Sequence, residues 1–403
     1  MPTPHTPHTP QIYFPIAHHM RVDQGRPLQR PSLTGGGAIN GGRYSLPSAL
    51  FTFHYSLFTN HMLRIALLFS IFLLSSVLRA QSTHTEINGV VNTLKKRINL
   101  QGYAQVGYYY EKEEDGERSN SFEVKRVILM ARGEITDRWG CYIMYSMAGT
   151  AKILELYTDY RVAPWLTFRL GQFKAPFTIE CPVSTCYVEL IDCWSLATNY
   201  LAGVNGSDPL HGSETARDIG LMASGSFFDG KLSYDLALMN GQGINQKDKN
   251  NQKDVVGKLT VVPVEGLTLS ASFVVGKGHA AGVSDVNPDI AAGDDYRRNR
   301  VSAGAWYKCK YFDLRSEYLQ GRDGQVDSRG CYATASVHAS RRLDIVASVD
   351  HLNKNIDGDA KQTNLVGGLQ YWFYPKCRVQ CQYTYCAQGE DSNRLQAQVQ
   401  VRF

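Results

Sequence analysis

Beyond residue 80 the chain has no apolar run of helix-spanning length, and the one stretch that approaches it covers only residues 63–78. Hydrophobic residues make up 43% of the chain and the mean hydropathy is −0.28. A bundle of membrane-spanning helices, each needing ~20 apolar residues, is thereby excluded. A transmembrane barrel is not, because its apolar residues are hidden at every second position. Excess charge is also missing. Residues 1–80 hold six Arg, one Asp and no Lys or Glu, so the remaining 323 residues carry 36 basic against 36 acidic groups. Such a balance gives no footprint for nucleic acid. The nine cysteines, all beyond residue 140, form no CxxC pair and have no histidine at metal spacing, which argues against a zinc site. No P-loop, no helix-opening GxGxxG and no GxSxG accompanies the strand histidines His338 and His351. The expectation is therefore no enzyme and no cofactor.

The amino-terminal region differs in composition from the rest. Residues 1–61 contain eight of the 15 prolines and six of the 11 histidines, with no lysine or glutamate, a mixture that cannot build a core. They read as a disordered or misassigned N-terminal extension, with translation beginning at Met62. Residues 62–80 read as a secretory signal peptide: Arg64, then an apolar stretch from Ile65 to Leu78, then Ala80 before a polar Gln81-Ser82-Thr83. A short lead-in occupies 81–97.

What is present from residue 98 onward is alternation. In Arg394–Phe403, the residues Leu395, Ala397, Val399, Val401 and Phe403 share one face, and Gln396, Gln398 and Gln400 share the other with the two arginines. A period of two is the strand period, and about 9–11 residues suffice for a tilted strand to cross a membrane. Similar alternation predicts sixteen strands, near 98–110, 122–136, 139–149, 152–162, 165–173, 216–228, 230–240, 253–263, 267–277, 297–309, 310–321, 328–339, 341–352, 362–373, 376–387 and 392–403. Even-numbered strands end in tight turns such as Asp229-Gly230 and Pro375-Lys376, whereas most odd-numbered strands end in longer polar loops. That asymmetry is the signature of an outer-membrane barrel. The expected fold is an all-β, transmembrane antiparallel barrel of 16 strands over residues 98–403, in the outer membrane of a Gram-negative bacterium. The aromatic Phe403 would serve the insertion machinery and lipid would cover the apolar face.

The connection after the fifth strand, about 174–216, is by far the longest, and its economical role is to fold inward as the third extracellular loop. Three cysteines, Cys181, Cys186 and Cys193, fall in it, where an oxidising compartment would permit a disulfide. Cys377 and Cys381 fall on the apolar face of a strand and read as small lipid-facing residues.

Phe122-Glu123-Val124-Lys125-Arg126, Leu170-Gly171-Gln172-Phe173-Lys174-Ala175-Pro176-Phe177 with Glu180, Arg217-Asp218-Ile219-Gly220, and Met239-Asn240-Gly241 followed by Lys253-Asp254 carry a resemblance. They resemble, in order over residues 98–403, the phosphate-selective porin O and P family. The resemblance implies a homotrimer of sixteen-stranded porins that passes anions along inward arginines and lysines. Arginine suits phosphate because its planar fork donates two hydrogen bonds at once. The pore-lining candidates are Lys125, Arg126, Arg132, Arg161, Arg169, Lys174, Arg217, Arg315 and Arg378, with Arg394 and Arg402 near the ends of the last strand. The competing reading pairs these arginines with Glu134, Glu155, Asp159 or Glu317 as ordinary wall residues. Two departures from the family pattern stand out: Ile128 replaces an inward tyrosine, and the long loop is acidic, with Glu180, Glu189, Asp192, Asp208 and Glu214. The expected function is passage of small solutes with some preference for anions such as phosphate. The alternatives are a general or cation-tolerant porin, or a non-conducting surface-binding barrel.

Overall fold

The computed structural model describes residues 97–112, 117–204, 208–211, 216–358, 360–388 and 393–403. The expected N-terminal extension and signal peptide, and all but the last residue of the lead-in, lie outside the described residues. So does Glu214.

Sixteen strands follow one another as β1 (Ile98–Lys112), β2 (Arg118–Glu134), β3 (Trp139–Ser146), β4 (Lys152–Ala163), β5 (Leu166–Lys174), β6 (Arg217–Phe227), β7 (Leu232–Met239) and β8 (Asp254–Val264), then β9 (Leu267–His279), β10 (Asp295–Lys308), β11 (Phe312–Asp323), β12 (Val326–His338), β13 (Leu343–Asn353), β14 (Lys361–Tyr374), β15 (Cys377–Gln388) and β16 (Asn393–Arg402). Each is antiparallel to its sequence neighbour, and β16 pairs with β1 to close the barrel. The expected strand number and order are confirmed. One short helix, α1 (Leu196–Leu201), interrupts the long third connection, capped by the Ser195 hydroxyl accepting from Thr198 N–H. Among the described residues no helix is long and apolar enough to cross a membrane.

Burial is inverted relative to a water-soluble sandwich. On β15, Arg378 and Gln380 are each 1% exposed, while Tyr383 on the opposite face is 48% exposed. Apolar side chains face outward to lipid, and polar ones face the enclosed interior. Exposed aromatics cluster at the short-turn end: Trp139, Trp165, Phe227, Phe228, Tyr311, Tyr374 and Phe403. Such amphipathic rings belong at a bilayer interface. The turn after β6 is shifted by one residue from the Asp229-Gly230 reading. Phe228, Asp229 and Gly230 have φ of 54°, 54° and 86° in a four-residue connection between the paired Phe227 and Leu232, with Gly230 N–H on Phe227 C=O at 3.2 Å.

Two glycines on β1, Gly102 and Gly107, let β16 approach closely at the closing seam. Phe403 N–H bonds Gly102 C=O at 3.0 Å, and a Cβ at Gly102 would lie 2.5 Å from the Phe403 ring. Any side chain there would push the terminal ring off the seam.

Six register shifts interrupt the simple alternation, and three of them move residues that matter below. Between β3 and β4 the register shifts at Met144/Tyr145, so Leu154, in step by simple alternation with the exposed Leu156 and Tyr160, is instead buried at 2% exposure. Near the start of β15 the register shifts between Trp372 and Tyr374, and Cys377 is buried with its sulfur against Arg402 N–H; only Cys381 of that pair is exposed. All nine cysteines are free, so the loop cysteines form no disulfide in this structure. The third bulge bears on the candidate site.

Candidate functional site

Lys125 and Arg126 are adjacent, and strict alternation would send them to opposite faces. They escape it because Gln105 pairs with Arg126 while Val106 pairs with Val124, leaving Lys125 as the extra residue of a bulge. Both heads consequently reach the same region. Lys125 Nζ lies 2.8 Å from Asp192 and over the Tyr109 ring at 4.6 Å. Arg126 donates to Gln105 Oε1 at 2.8 Å and to Ile191 C=O at 3.4 Å.

Residues of the long third connection hydrogen-bond to the buried polar face of strands around much of the barrel. Arg315 on β11 meets Glu180 at 3.2 Å and Glu189 at 3.0 Å. Arg378 on β15 donates to Val188 C=O at 2.7 Å, and Gln380 and Gln382 both donate to Glu189 C=O, at 2.9 and 2.7 Å. Lys258 on β8 donates to Thr178 C=O at 2.7 Å, and Leu196 N–H at the start of α1 bonds Asp350 on β13. Asp192 accepts from Lys125, from Arg394 at 2.9 Å and from Gln396 at 2.9 Å. The acidity of the loop therefore has a structural use: its carboxylates neutralise wall cations.

Electrostatics separate the two kinds of acid. Burial pushes the Glu180 carboxyl above its ordinary range, with Arg315 and the Ser195 N–H opposing the rise. At Asp192 burial acts in the same direction, but Lys125 and Arg394 outweigh it and hold the carboxyl well below the usual carboxylate range.

The other candidates disperse. Arg132 and Arg169 converge on one carboxylate, Asp159, at 3.5 and 2.7 Å, and Arg169 stacks on the Tyr157 ring at 3.9 Å. Arg161 is exposed. Lys174 donates to Cys181 and Val183 carbonyls at the root of the loop. Arg217 is 1% exposed and pairs with Glu155 at 3.0 Å. Arg402 lies over the Tyr187 ring at 4.2 Å. Ile128, in the position of the absent tyrosine, is buried among apolar neighbours.

Sequence reasoning missed Lys258, Arg298 and Arg300. Arg298 bonds Asp254, and Arg300 bonds Asp323 at 2.7 Å. It also undervalued the glutamines Gln105, Gln380, Gln382 and Gln400, all buried and all bonded. Their alternation was visible, but an amide reads as neutral filling unless its partner is known.

A closed antiparallel barrel, lipid-facing outside and polar inside, defines the class of outer-membrane porins, and the structural comparisons agree. The anion-selective porin from Comamonas acidovorans superimposes with a TM-score of 0.58 at 13% identity, over 76% of this chain and 98% of that one. The outer membrane channel DcaP of Acinetobacter baumannii gives 0.55 at 13%, over 76% and 97%. In-vitro folded OmpT of Vibrio cholerae in its trimer form gives 0.56 at 12%, over 76% and 100%. At such identities the likeness speaks for the fold. No curated protein matches the chain. Residues 98–287 match the model of the family described as phosphate-selective porin O and P. Its place is the outer membrane of a Gram-negative bacterium.

Proposed function

We propose that the chain is a diffusion channel for small solutes with a modest preference for anions, its lumen narrowed by the third long connection folded inward. The observation that carries the anion preference is the Arg132–Asp159–Arg169 group, where two guanidiniums meet one carboxylate on the wall. A fixed cation in a narrow, low-dielectric wall lowers the cost of admitting a partly dehydrated anion. Strong phosphate selectivity is not part of the reading, because Arg126, Arg315 and Arg378 already bond the loop. A homotrimer follows from the family and from the likeness to a trimeric porin, with outer-membrane lipid around it and Phe403 as the mark for insertion.

Planar-bilayer recording of purified protein tests the channel. Stepwise conductance with a reversal potential of anion sign under a salt gradient is the expected result, and strong cation selectivity or no steps would defeat the proposal. Millimolar phosphate should block only weakly. Light scattering in detergent that gave a monomer mass would remove the trimer.

A further inference from the structure

On the outer, lipid-facing surface, four cations stand together. Lys277 on β9, Arg297 on β10, Arg322 on β11 and Arg329 on β12 all point outward by alternation, and all are exposed. The registers set them side by side near the long-loop ends of four consecutive strands. Lys277 lies directly opposite Arg297, Arg322 opposite Asn299, and Arg329 opposite Gln320. Further toward the membrane centre the same strands present Val275, Val301 and Tyr318, each about half exposed. The outward residues near the long-loop ends of β3, β6 and β7 are instead Tyr145, Leu221 and Leu238, so the basic arc does not run round the whole barrel.

Its height is set by the strand. From Tyr307, exposed near the short-turn end of β10, the climb to Arg297 is about 25 Å at ~3.3 Å per residue and a tilt of ~40°. That equals the apolar band of such barrels, roughly 25 Å tall. The arc therefore stands at the level of the lipid headgroups, with the long stems of its side chains free to lie along the apolar surface below.

The arc is short of anions. Arg322 has Asp327 at 3.6 Å and Gln325 at 3.1 Å, and Asp295 is taken by His279 at 2.8 Å. Arg297 Nε meets the Asn299 side-chain oxygen at 3.0 Å once that amide is turned to satisfy both its ends. Among the described residues no carboxylate pairs with Lys277, Arg297 or Arg329. Like charges directly opposite on a ladder repel, and Lys277 and Arg297 are such a pair. An anion shared between them turns that repulsion into attachment.

In a Gram-negative outer membrane the leaflet on the long-loop side is built of glycolipids that carry phosphate on their sugars. We propose that this arc binds the phosphorylated headgroup of such a lipid, one phosphate bridging Lys277 and Arg297 and another meeting Arg322 and Arg329. The acyl chains then lie on Val275, Val301 and Tyr318. Arginine's planar fork takes two phosphate oxygens at once, and each cation near a charged membrane surface adds to the attraction. The inference goes beyond the channel reading and is independent of it, since the arc is outside the lumen.

The test is native mass spectrometry of the full refolded chain in detergent. The probes are a bisphosphorylated, acylated glucosamine disaccharide, its dephosphorylated form and inorganic phosphate. The bisphosphorylated lipid should stay bound, and the dephosphorylated form should bind at least about tenfold more weakly. Millimolar inorganic phosphate, which has no chains to lay on the barrel, should not displace it. Lys277→Gln combined with Arg297→Gln should weaken binding by about 10- to 30-fold, and Arg329→Gln alone by about fivefold. Lys310→Gln, at the short-turn end, should change nothing. The fast gel migration of an unheated folded barrel, kept by every variant, separates lost binding from a lost fold. Equal binding of the two lipids, displacement by phosphate, or affinity untouched by the substitutions in the arc would overturn the proposal. So would loss of the oligomer in the double variant, which would assign the arc to contact with a second copy of the chain.

Discussion

Along β15, β16 and β1 the buried face is rich in glutamine, with Gln105, Gln380, Gln382, Gln396, Gln398 and Gln400, whereas along β4 and β5 Glu155, Tyr157, Asp159 and the half-buried Arg169 form a charged and aromatic stretch. In the first arc, Gln382 accepts from Ile191 N–H at 2.8 Å and donates to Glu189 C=O, while Gln400 donates to Cys186 C=O at 3.1 Å. An amide offers a donor and an acceptor in one head, so it can grip a peptide backbone where a charged group can do only half the task. In the second arc the groups bond one another, Arg169 with Asp159 and Tyr157, and none of the described bonds from that pair reaches the loop. The amide arc bonds the backbone of the third connection, and on the proposed channel reading the Arg169–Asp159 pair keeps its field for whatever passes.

The largest test of that contrast is to delete the docked segment. Replacing residues 179–201 by a short Gly-Ser linker should raise single-channel conductance severalfold, read in planar bilayers; an unchanged conductance would mean that the segment lies outside the ion path. A smaller effect is expected of Asp192→Asn, which takes the charge from the contacts to Lys125 and Arg394 and should loosen docking by about 1–2 kcal/mol, seen as added gating noise and faster proteolysis of the loop. The pH dependence follows from the same carboxyl. Its folded pKa is depressed, so the stabilisation is fully present above the unfolded value of about 3.9 and is lost only as pH falls through the folded value. Conductance should therefore stay quiet from pH 8 to about pH 4, and noise appearing near neutrality would contradict the assignment. The smallest effect belongs to the charged arc. Arg169→Gln removes one of the two guanidiniums beside Asp159, and the anion-to-cation permeability ratio should drop by roughly twofold while the loop remains docked. A change in gating noise with no change in selectivity would reverse the roles assigned to the two arcs.

Much of the fold was legible in the sequence because lipid outside and water inside impose a period of two on every strand, and no helix competes with it. Legibility failed where one extra residue enters a ladder. Leu154 and Cys377 turn inward beside register shifts, and no pattern in their own segments announces it. The candidate site was less readable. Alternation can nominate Arg126, Arg315 or Arg378 for the interior, but the partners that occupy them come from a loop distant in sequence, and the pairing of Arg315 with Glu180 and Glu189 is a property of the closed barrel alone. Lys125 and Arg126 could be singled out by family pattern, yet the reason both point inward is the bulge opposite Gln105 and Val106.

Asp192 has one more consequence, in the order of events. Its partners are Lys125 on the second strand and Arg394 and Gln396 on the last, on either side of the β16–β1 junction. An open sheet cannot bring all three partners to this residue at once, because two of them lie on the last strand and the third on the second. The full set of Asp192 bonds therefore requires ring closure, and once made it ties the two sides of the junction together. A barrel assembled strand by strand would thus carry its own latch, set only after the circle is complete.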